Sequence, residues 1–331
     1  MTEFRDFLQW REGDAILLGE ANVEPEDDMR FFGEDGDRMH MIFNFFVNQH
    51  LFYALACGDA RPLAHALEAT KRIPRYAQWG SFLRNHDELD LGRLTEEQRQ
   101  LVFEKFGSET RMQLYGRGIR RRLAPMLGNR PQLELAYSLM FSLPGTPILR
   151  YGDEIGMGDD LRLKERSAVR TPMQWSNEAQ AGFSTAGKTI LPVISKGPWS
   201  YRRINVEAQR RDPNSMLNWT ERMIRLRKEC PELGWGDSMI LHTRASNVLA
   251  IRYEWRNNAL VTLHNFHEKP VSLILDSGDL GGAKGQRLVN LGVGEHSQAG
   301  PDGAHRIVLE GYGYRWYRVG GLGHILQRVK Y

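Results

Sequence analysis

Apolar segments that run into polar and acidic residues are the feature that most constrains the fold of this chain. The apolar segments are residues 15–18, 39–43, 77–83 and 148–151. The first gives way to Glu20, and the third leads directly into Asn85, His86 and Asp87. Polar groups repeated at the carboxyl ends of strands are typical of the face on which a (β/α) barrel carries its active site.

Helix-forming sequence lies between and after these predicted strands. The helical or helix-favouring segments are residues 2–12, 48–56, 60–70, 95–123, 131–142 and 215–228. Strands that alternate with helices predict an α/β fold with a parallel sheet. Residues 155–214 lose this pattern and become rich in Gly, Pro and Ser, so we expect a long loop above the last strand. Loops of this length inside a compact domain are usually functional or disordered.

The pattern changes after residue 237 from helices to short alternating strands. The predicted strands are residues 248–255, 259–264, 271–275, 286–290, 306–309 and 314–319, followed by a tail at 320–331. Asn257 and its neighbours form a polar turn between the first two, which indicates a hairpin. We therefore predict a catalytic-type domain over residues 1–237 and a small all-β domain over residues 238–331.

Charge and cysteine content narrow the possible partners and the compartment. The 331 residues carry 44 basic and 41 acidic side chains, for a formal charge of +3. Such a balance does not indicate a nucleic-acid or membrane partner. The densest basic run, Arg117 with Arg120, Arg121 and Arg122, is interpreted as a solvated or ion-paired helix face. Two distant cysteines and the lack of a secretory signal pattern predict a cytoplasmic protein.

Glu20 and Asp87 are the acidic residues best placed for catalysis. A retaining glycosidase needs two carboxyl groups that flank the scissile bond, one as acid/base and one as nucleophile. A partly desolvated strand end can supply the environment that an acid needs. A single acidic residue at a strand end is, however, more often a loop cap than a catalyst.

Four local sequences are far more specific, and together they resemble the α-amylase superfamily. The sequence FLRNHD at 82–87 resembles the motif of the seventh barrel strand, and GEAN at 19–22 resembles that of the fifth. Residues 145–157, GTPILRYGDEIGM, resemble the eighth-strand signature. Residues 170–175, RTPMQW, are similar to a segment of exo-acting members. All four occur in the order of the superfamily.

This resemblance implies roles for individual residues. Glu20 is implied as the general acid/base, and Asp87 as the carboxylate that stabilises the distorted sugar. His86, with Asn85 in the same motif, is implied to contact sugar hydroxyls, and Arg170 to hold the terminal glucose. Glu88, Asp153 and Glu154 are expected to structure the loops instead. No cofactor is implied, and the calcium ligands of the superfamily would lie mostly upstream of this sequence.

Within the superfamily, the likeness is closest to the trehalose synthase family, which interconverts maltose and trehalose by retaining intramolecular glucosyl transfer. Residues 117–127 and 206–213 carry this likeness, which covers nearly the whole chain. Two other readings remain open at this point. The same carboxylates could serve a hydrolytic α-glucosidase of the α-amylase type, or the chain could be a non-catalytic sugar-binding fragment.

The resemblance begins at the fifth strand of the barrel. A βα unit takes about 30 residues, so the four units that would precede Glu20 do not fit before it. We therefore expect strands five to eight of a (β/α)8 TIM barrel, without the fourth-strand motif and its nucleophilic aspartate. A chain of this kind is expected to be inactive alone and to need a complementing N-terminal fragment; an oligomer is left open.

Overall fold

The computed structural model describes residues 1–281, 287–292 and 294–320. Gln286, where one predicted strand begins, and residues 321–331 of the predicted tail lie outside the described residues. The helices are α1 (Thr2–Arg11), α2 (Asp28–Phe32), α3 (Phe45–Cys57), α4 (Arg61–Ala69), α5 (Glu96–Phe106), α6 (Leu123–Leu127), α7 (Arg130–Ser142), α8 (Val206–Arg211), α9 (Met216–Lys228) and α10 (Glu232–Trp235). The strands are β1 (Leu18–Gly19), β2 (Met41–Phe43), β3 (Gln78–Ser81), β4 (Leu89–Asp90), β5 (Gln113–Leu114), β6 (Gly118–Ile119), β7 (Thr146–Pro147), β8 (Asp237–Leu241), β9 (Val248–Trp255), β10 (Asn258–Asn265), β11 (Val271–Asp276), β12 (Arg287–Asn290), β13 (Ser297–Gln298), β14 (Ala304–Leu309) and β15 (Tyr314–Val319).

Four parallel strands form the sheet of the first part of the chain, in the order β1-β2-β3-β7. The prediction of an α/β fold with four neighbouring barrel strands is confirmed. Within the described residues, β1 and β7 each pair on one side only, so the sheet has two open edges. The polar segments after β1 and β3 meet at the same end of this sheet, because parallel strands share their carboxyl edge.

The barrel strands are shorter than predicted, and the outer two are displaced. The first occupies β1 instead of residues 15–18, and the last occupies β7 instead of residues 148–151. Ile148 still donates its N–H to the carbonyl of Ser81 at 2.7 Å, but the chain then turns away, with Gly152 at φ 84°. An edge strand forms backbone hydrogen bonds with one neighbour only. Its pairing therefore ends where the chain turns away from that neighbour.

The helix-favouring stretch 95–123, which glycines 107, 116 and 118 interrupt in the sequence, is helical mainly in its first half. After α5, which Gly107 caps, the chain forms β5 and β6, and β6 also pairs with the earlier β4 in a small antiparallel sheet of order β4-β6-β5. Leu114 and Arg117 close a turn through a 3.3 Å backbone hydrogen bond, and Gly116 within it has φ 65°. Glycines favour such positions, so they outweigh the helical propensity of the charged residues around them.

The basic run of this stretch does not lie on a helix face, which corrects the interpretation from sequence. Arg120 is buried and donates to backbone carbonyls at 2.7–3.1 Å, most of them in the loop around residues 161–165. Arg121 pairs with Asp159 at 2.9 Å, and the fully buried Arg122 lies 3.4 Å from Asp153. These guanidinium groups therefore connect the loops at the carboxyl end of the sheet. Of the interpretation from sequence, the ion pairing is confirmed and the helix face is not.

The remaining part of the chain is built of β-strands, as predicted. A six-stranded sheet has the order β13-β12-β15-β10-β9-β8, and β11 pairs with β14 in a separate ladder. One helix, α8, lies inside the predicted loop 155–214, because the Asn205 side chain accepts the N–H of Ala208 at 2.8 Å and caps it. None of the described helices combines the length and apolar character needed to cross a membrane.

The two parts are joined by a buried polar and aromatic contact, which we call the joint. Ser138 of α7 accepts the indole N–H of Trp316 at 3.0 Å, and its hydroxyl lies 2.9 Å from Nε2 of His264. The hydroxyl of Tyr253 donates to the carbonyl of Ser142. All five side chains are buried.

Candidate active site

The segment after β3 is held in place by hydrogen bonds from α3 and from the buried Arg84. Asn48 of α3 donates to the carbonyls of Phe82 at 2.7 Å and Leu83 at 3.1 Å. Arg84, which is almost fully buried, donates to the carbonyl of Asp87 at 2.7 Å. The backbone that carries the motif is therefore held on both sides of His86.

Asn85 has a local structural part in the same segment. Its Oδ1 accepts the backbone N–H of Asp87 at 2.9 Å, and its carbonyl accepts Nη1 of Arg150 at 2.6 Å. This asparagine turn is a common way for Asn to shape a loop. The Oδ1 atom is thus engaged in orienting Asp87.

Glu20 follows β1 in a loop that is held by Arg93. The Arg93 guanidinium donates to the carbonyl of Asn22 at 2.6 Å and pairs with Glu24. Its backbone N–H donates to the buried side chain of Gln49 at 2.7 Å. The loop is therefore anchored to α3 just beyond the carboxylate, while Glu20 itself is exposed.

The structure brings four of the sequence-predicted site residues together. One side-chain ligand atom from each of Glu20, His86 and Asp87 lies within 4.8 Å of the others. Arg170 donates from Nε to the carbonyl of His86 at 2.8 Å and forms an ion pair with Asp87. Two strand ends and a distant loop thus converge on one cluster, which we call the carboxylate cluster.

Arg166 also belongs to this site, and sequence reasoning missed it. Its Nη1 lies 2.9 Å from Oδ2 of Asp87, and Nε and Nη2 lie 2.7 Å and 3.1 Å from the two oxygens of Glu88. The Glu88 hydrogen bonds raise the pKa of Arg166. Because Arg170 contacts Oδ1, the two arginines hold both oxygens of Asp87. Their partners lie about 80 positions away in sequence, so no local pattern marks Arg166.

A buried charge cluster supports the loops behind the site. Arg84, Arg122 and Arg150 surround the buried carboxylate of Asp153. Burial and the nearby Arg150 lower the pKa of Arg84 to about 9, and burial with the nearby Arg122 lowers that of Arg150 to about 10. Burial raises the pKa of Asp153 against the opposing effect of these arginines. Asp153 therefore structures the loops, as the sequence analysis expected.

The carboxylate cluster is also the one group of the described residues with a spacing suited to a metal ion. Glu20 and His86 are exposed, and exposed acidic groups are common without an ion. Both oxygens of Asp87 already face guanidinium groups. These positive charges oppose the binding of a cation at the same place.

The cluster lies in an open part of the surface. The side chain of His86 is 58% exposed and that of Asp87 is 20% exposed. A cavity of about 300 Å³ lies instead between the lower end of the sheet and the β-rich part, with Trp79 and Tyr253 among its walls. No member of the carboxylate cluster lines it. The converging chemistry makes the carboxylate cluster the candidate site, since a barrel presents reactive groups at the carboxyl ends of its strands.

Two parts of the chain match known protein families. Residues 120–236 match the family described as alpha amylase, catalytic domain. Residues 258–318 match the family described as sucrose hydrolase-like, C-terminal domain. The α-amylase from H. orenii has a similar fold, with a TM-score of 0.69 at 20% identity over 96% of this chain and 56% of that one.

Two relatives are considerably closer in sequence. The trehalose synthase of Pimelobacter sp. is 37% identical over 96% of this chain and 58% of its own length. The trehalose synthase/amylase of Mycobacterium tuberculosis is 44% identical over 71% of this chain and 40% of its own length. The chain thus spans less than two thirds of these curated relatives. The chain is homologous to part of the trehalose synthases, and its residues 120–236 match the α-amylase catalytic-domain family.

Proposed function

We propose that the chain forms part of an enzyme that interconverts maltose and trehalose by retaining intramolecular glucosyl transfer. The observation that carries this proposal is the convergence of Glu20, His86 and Asp87 within 4.8 Å, from two separate strand ends. Arg170 completes the set through its contacts with His86 and Asp87. The homology with trehalose synthases supports maltose and trehalose as the α-glucoside substrates.

The geometry supports a distinct role for each group. Glu20 donates a proton to the glycosidic oxygen and later takes one from the attacking hydroxyl of the released glucose. Asp87, oriented by Arg166 and Arg170, stabilises positive charge on the sugar ring. His86 and Arg170 bind hydroxyl groups of the terminal glucose. Asn85 acts by shaping the loop that presents Asp87.

A retaining mechanism also needs a nucleophilic carboxylate on the opposite face of the sugar. In the described part of the chain, the carboxylate cluster contains no carboxyl group besides those of Glu20 and Asp87. We propose that sequence outside these 331 residues supplies the nucleophile and four more barrel strands. The single-sided pairing of β1 and β7, and the greater length of the relatives, support this proposal.

Product analysis tests this proposal. The purified chain alone is expected to convert neither maltose nor trehalose detectably, because loss of a catalytic nucleophile costs about a million-fold in rate. Co-expression with a polypeptide that supplies the first four strands is expected to restore conversion of maltose to trehalose. Glu20→Gln in the restored complex should abolish it. Robust conversion by these 331 residues alone, after removal of host enzymes, would contradict the proposed dependence on the first four strands.

Hydrolysis of α-glucosides is the second candidate function. The exposure of Glu20 and His86 favours it, because water can reach a site that is this open. The Mycobacterium tuberculosis relative is named both as a trehalose synthase and as an amylase. The ratio of trehalose to free glucose formed from maltose separates the two activities.

We propose a cytoplasmic enzyme, since Cys57 and Cys230 are both free thiols.

A further inference from the structure

Tyr115 is an exposed aromatic residue that the proposed mechanism does not use. It lies in the turn between β5 and β6, and its side chain remains about half exposed, at 55%. The residue has φ 56°, and Gly116 beside it has φ 65°. Positive φ is unusual for a bulky residue, so this turn holds the tyrosine in a conformation that its own preferences oppose.

Arg166 connects this tyrosine to the carboxylate cluster. The guanidinium carbon of Arg166 lies 5.7 Å from the centre of the Tyr115 ring, within the range of a cation–π contact. The N–H groups of Arg166 point to Asp87 and Glu88. A single guanidinium group therefore separates the aromatic ring from the proposed charge-stabilising carboxylate. The Tyr115 hydroxyl makes no hydrogen bond with any described residue, and it is free to meet a ligand.

The two arginines contact different oxygens of Asp87, and only Arg166 also contacts Tyr115. Arg170, assigned to the terminal glucose, contacts Oδ1 of Asp87, whereas Arg166 contacts Oδ2. Tyr115 contacts Arg166, so it is connected to Asp87 through the Oδ2 atom. The second ring of a disaccharide whose first ring occupies the carboxylate cluster must lie beside that cluster.

We propose that Tyr115 and Arg166 form the subsite for the second sugar ring of an α-linked disaccharide. The exposed face of Tyr115 packs against the apolar C–H face of the ring, and its hydroxyl is available to the sugar. Aromatic walls with a few polar groups are usual in small-ligand sites. This inference rests on the proposed function, and it adds Tyr115 as a determinant of disaccharide over monosaccharide binding.

Calorimetric titration of the full chain with glucose and with maltose tests the proposal. Tyr115→Ala is expected to weaken maltose binding about threefold to tenfold, the value of one aromatic contact. Glucose binding should stay within about twofold, because the carboxylate cluster is unchanged. Tyr115→Phe should retain most of the maltose affinity. Tyr76→Ala is the matched control, since Tyr76 is also exposed but precedes β3 at the other end of the sheet.

The outcomes separate this inference from the function on which it rests. Maltose binding that is unchanged in Tyr115→Ala, or glucose binding that falls equally, overturns the subsite. Failure of the wild type to bind maltose, or binding that survives Asp87→Asn undiminished, contradicts the proposed function itself. Thermal unfolding of each variant confirms that the comparison is between folded proteins.

Discussion

The joint between the two parts of the molecule and the carboxylate cluster use polar groups in opposite ways. At the joint, Ser138, His264 and Trp316 are buried and linked by hydrogen bonds of 2.9 Å and 3.0 Å, while Nδ1 of His264 has no partner among the described residues. At the cluster, Glu20 and His86 are exposed and are brought together by loops. Buried polar networks stabilise a fold only when their members are paired, whereas a binding site must leave groups free for its ligand.

The difference suggests that stability and function are located in separate places. The joint ties α7 to β10 and β15, so disrupting it should affect the whole chain. The cluster lies at the carboxyl end of the sheet, where exposed side chains contribute little to stability. Substitutions in the two regions should therefore have effects that hardly overlap.

The largest expected effect is that of Trp316→Ala at the joint. Trp316 is 2% exposed, and removing its ring leaves a cavity and an unpaired Ser138, at a cost of about 3–5 kcal/mol in unfolding free energy. Urea unfolding measures this value. Trp235→Ala is the control, because Trp235 is 76% exposed and its loss should cost less than about 0.5 kcal/mol. Similar costs for both would contradict the special importance of the joint.

A smaller effect is expected from the pH dependence of stability. Burial lowers the pKa of His264 to about 3, against an ordinary value of 6.5. The unfolded chain takes up a proton on this histidine below pH 6.5 and the folded chain does not. The contribution of His264 to the free energy of unfolding is therefore complete above pH 6.5. It declines by about 1.4 kcal/mol per pH unit as the pH falls toward 3. Urea unfolding of His264→Gln between pH 7 and pH 5 should show a shallower decline, and equal slopes would refute this assignment.

The comparison also explains what the sequence could reveal. The strand-end positions of Glu20 and Asp87 were predictable because each lies in a short motif at the end of an apolar segment, while their catalytic roles stay a prediction. Arg166 was not, since its partner Glu88 lies 78 positions away and only the folded loop brings them together. Arg120 was placed on a helix because its local composition favours one, while the carbonyls that hold it lie about 40 positions further along the chain. Tertiary contacts decided both cases.

The most direct test of the account is a map of the maltose contacts. Backbone amide shifts of the isotope-labelled chain, measured by NMR during maltose titration, should change around Glu20, His86, Asp87 and Arg170. The same titration of Asp87→Asn should leave these amides largely unshifted, because the carboxylate that the two arginines orient is gone. Shifts concentrated instead at the cavity beside Trp79, at the lower end of the sheet, would contradict the assignment of the carboxylate cluster as the sugar site.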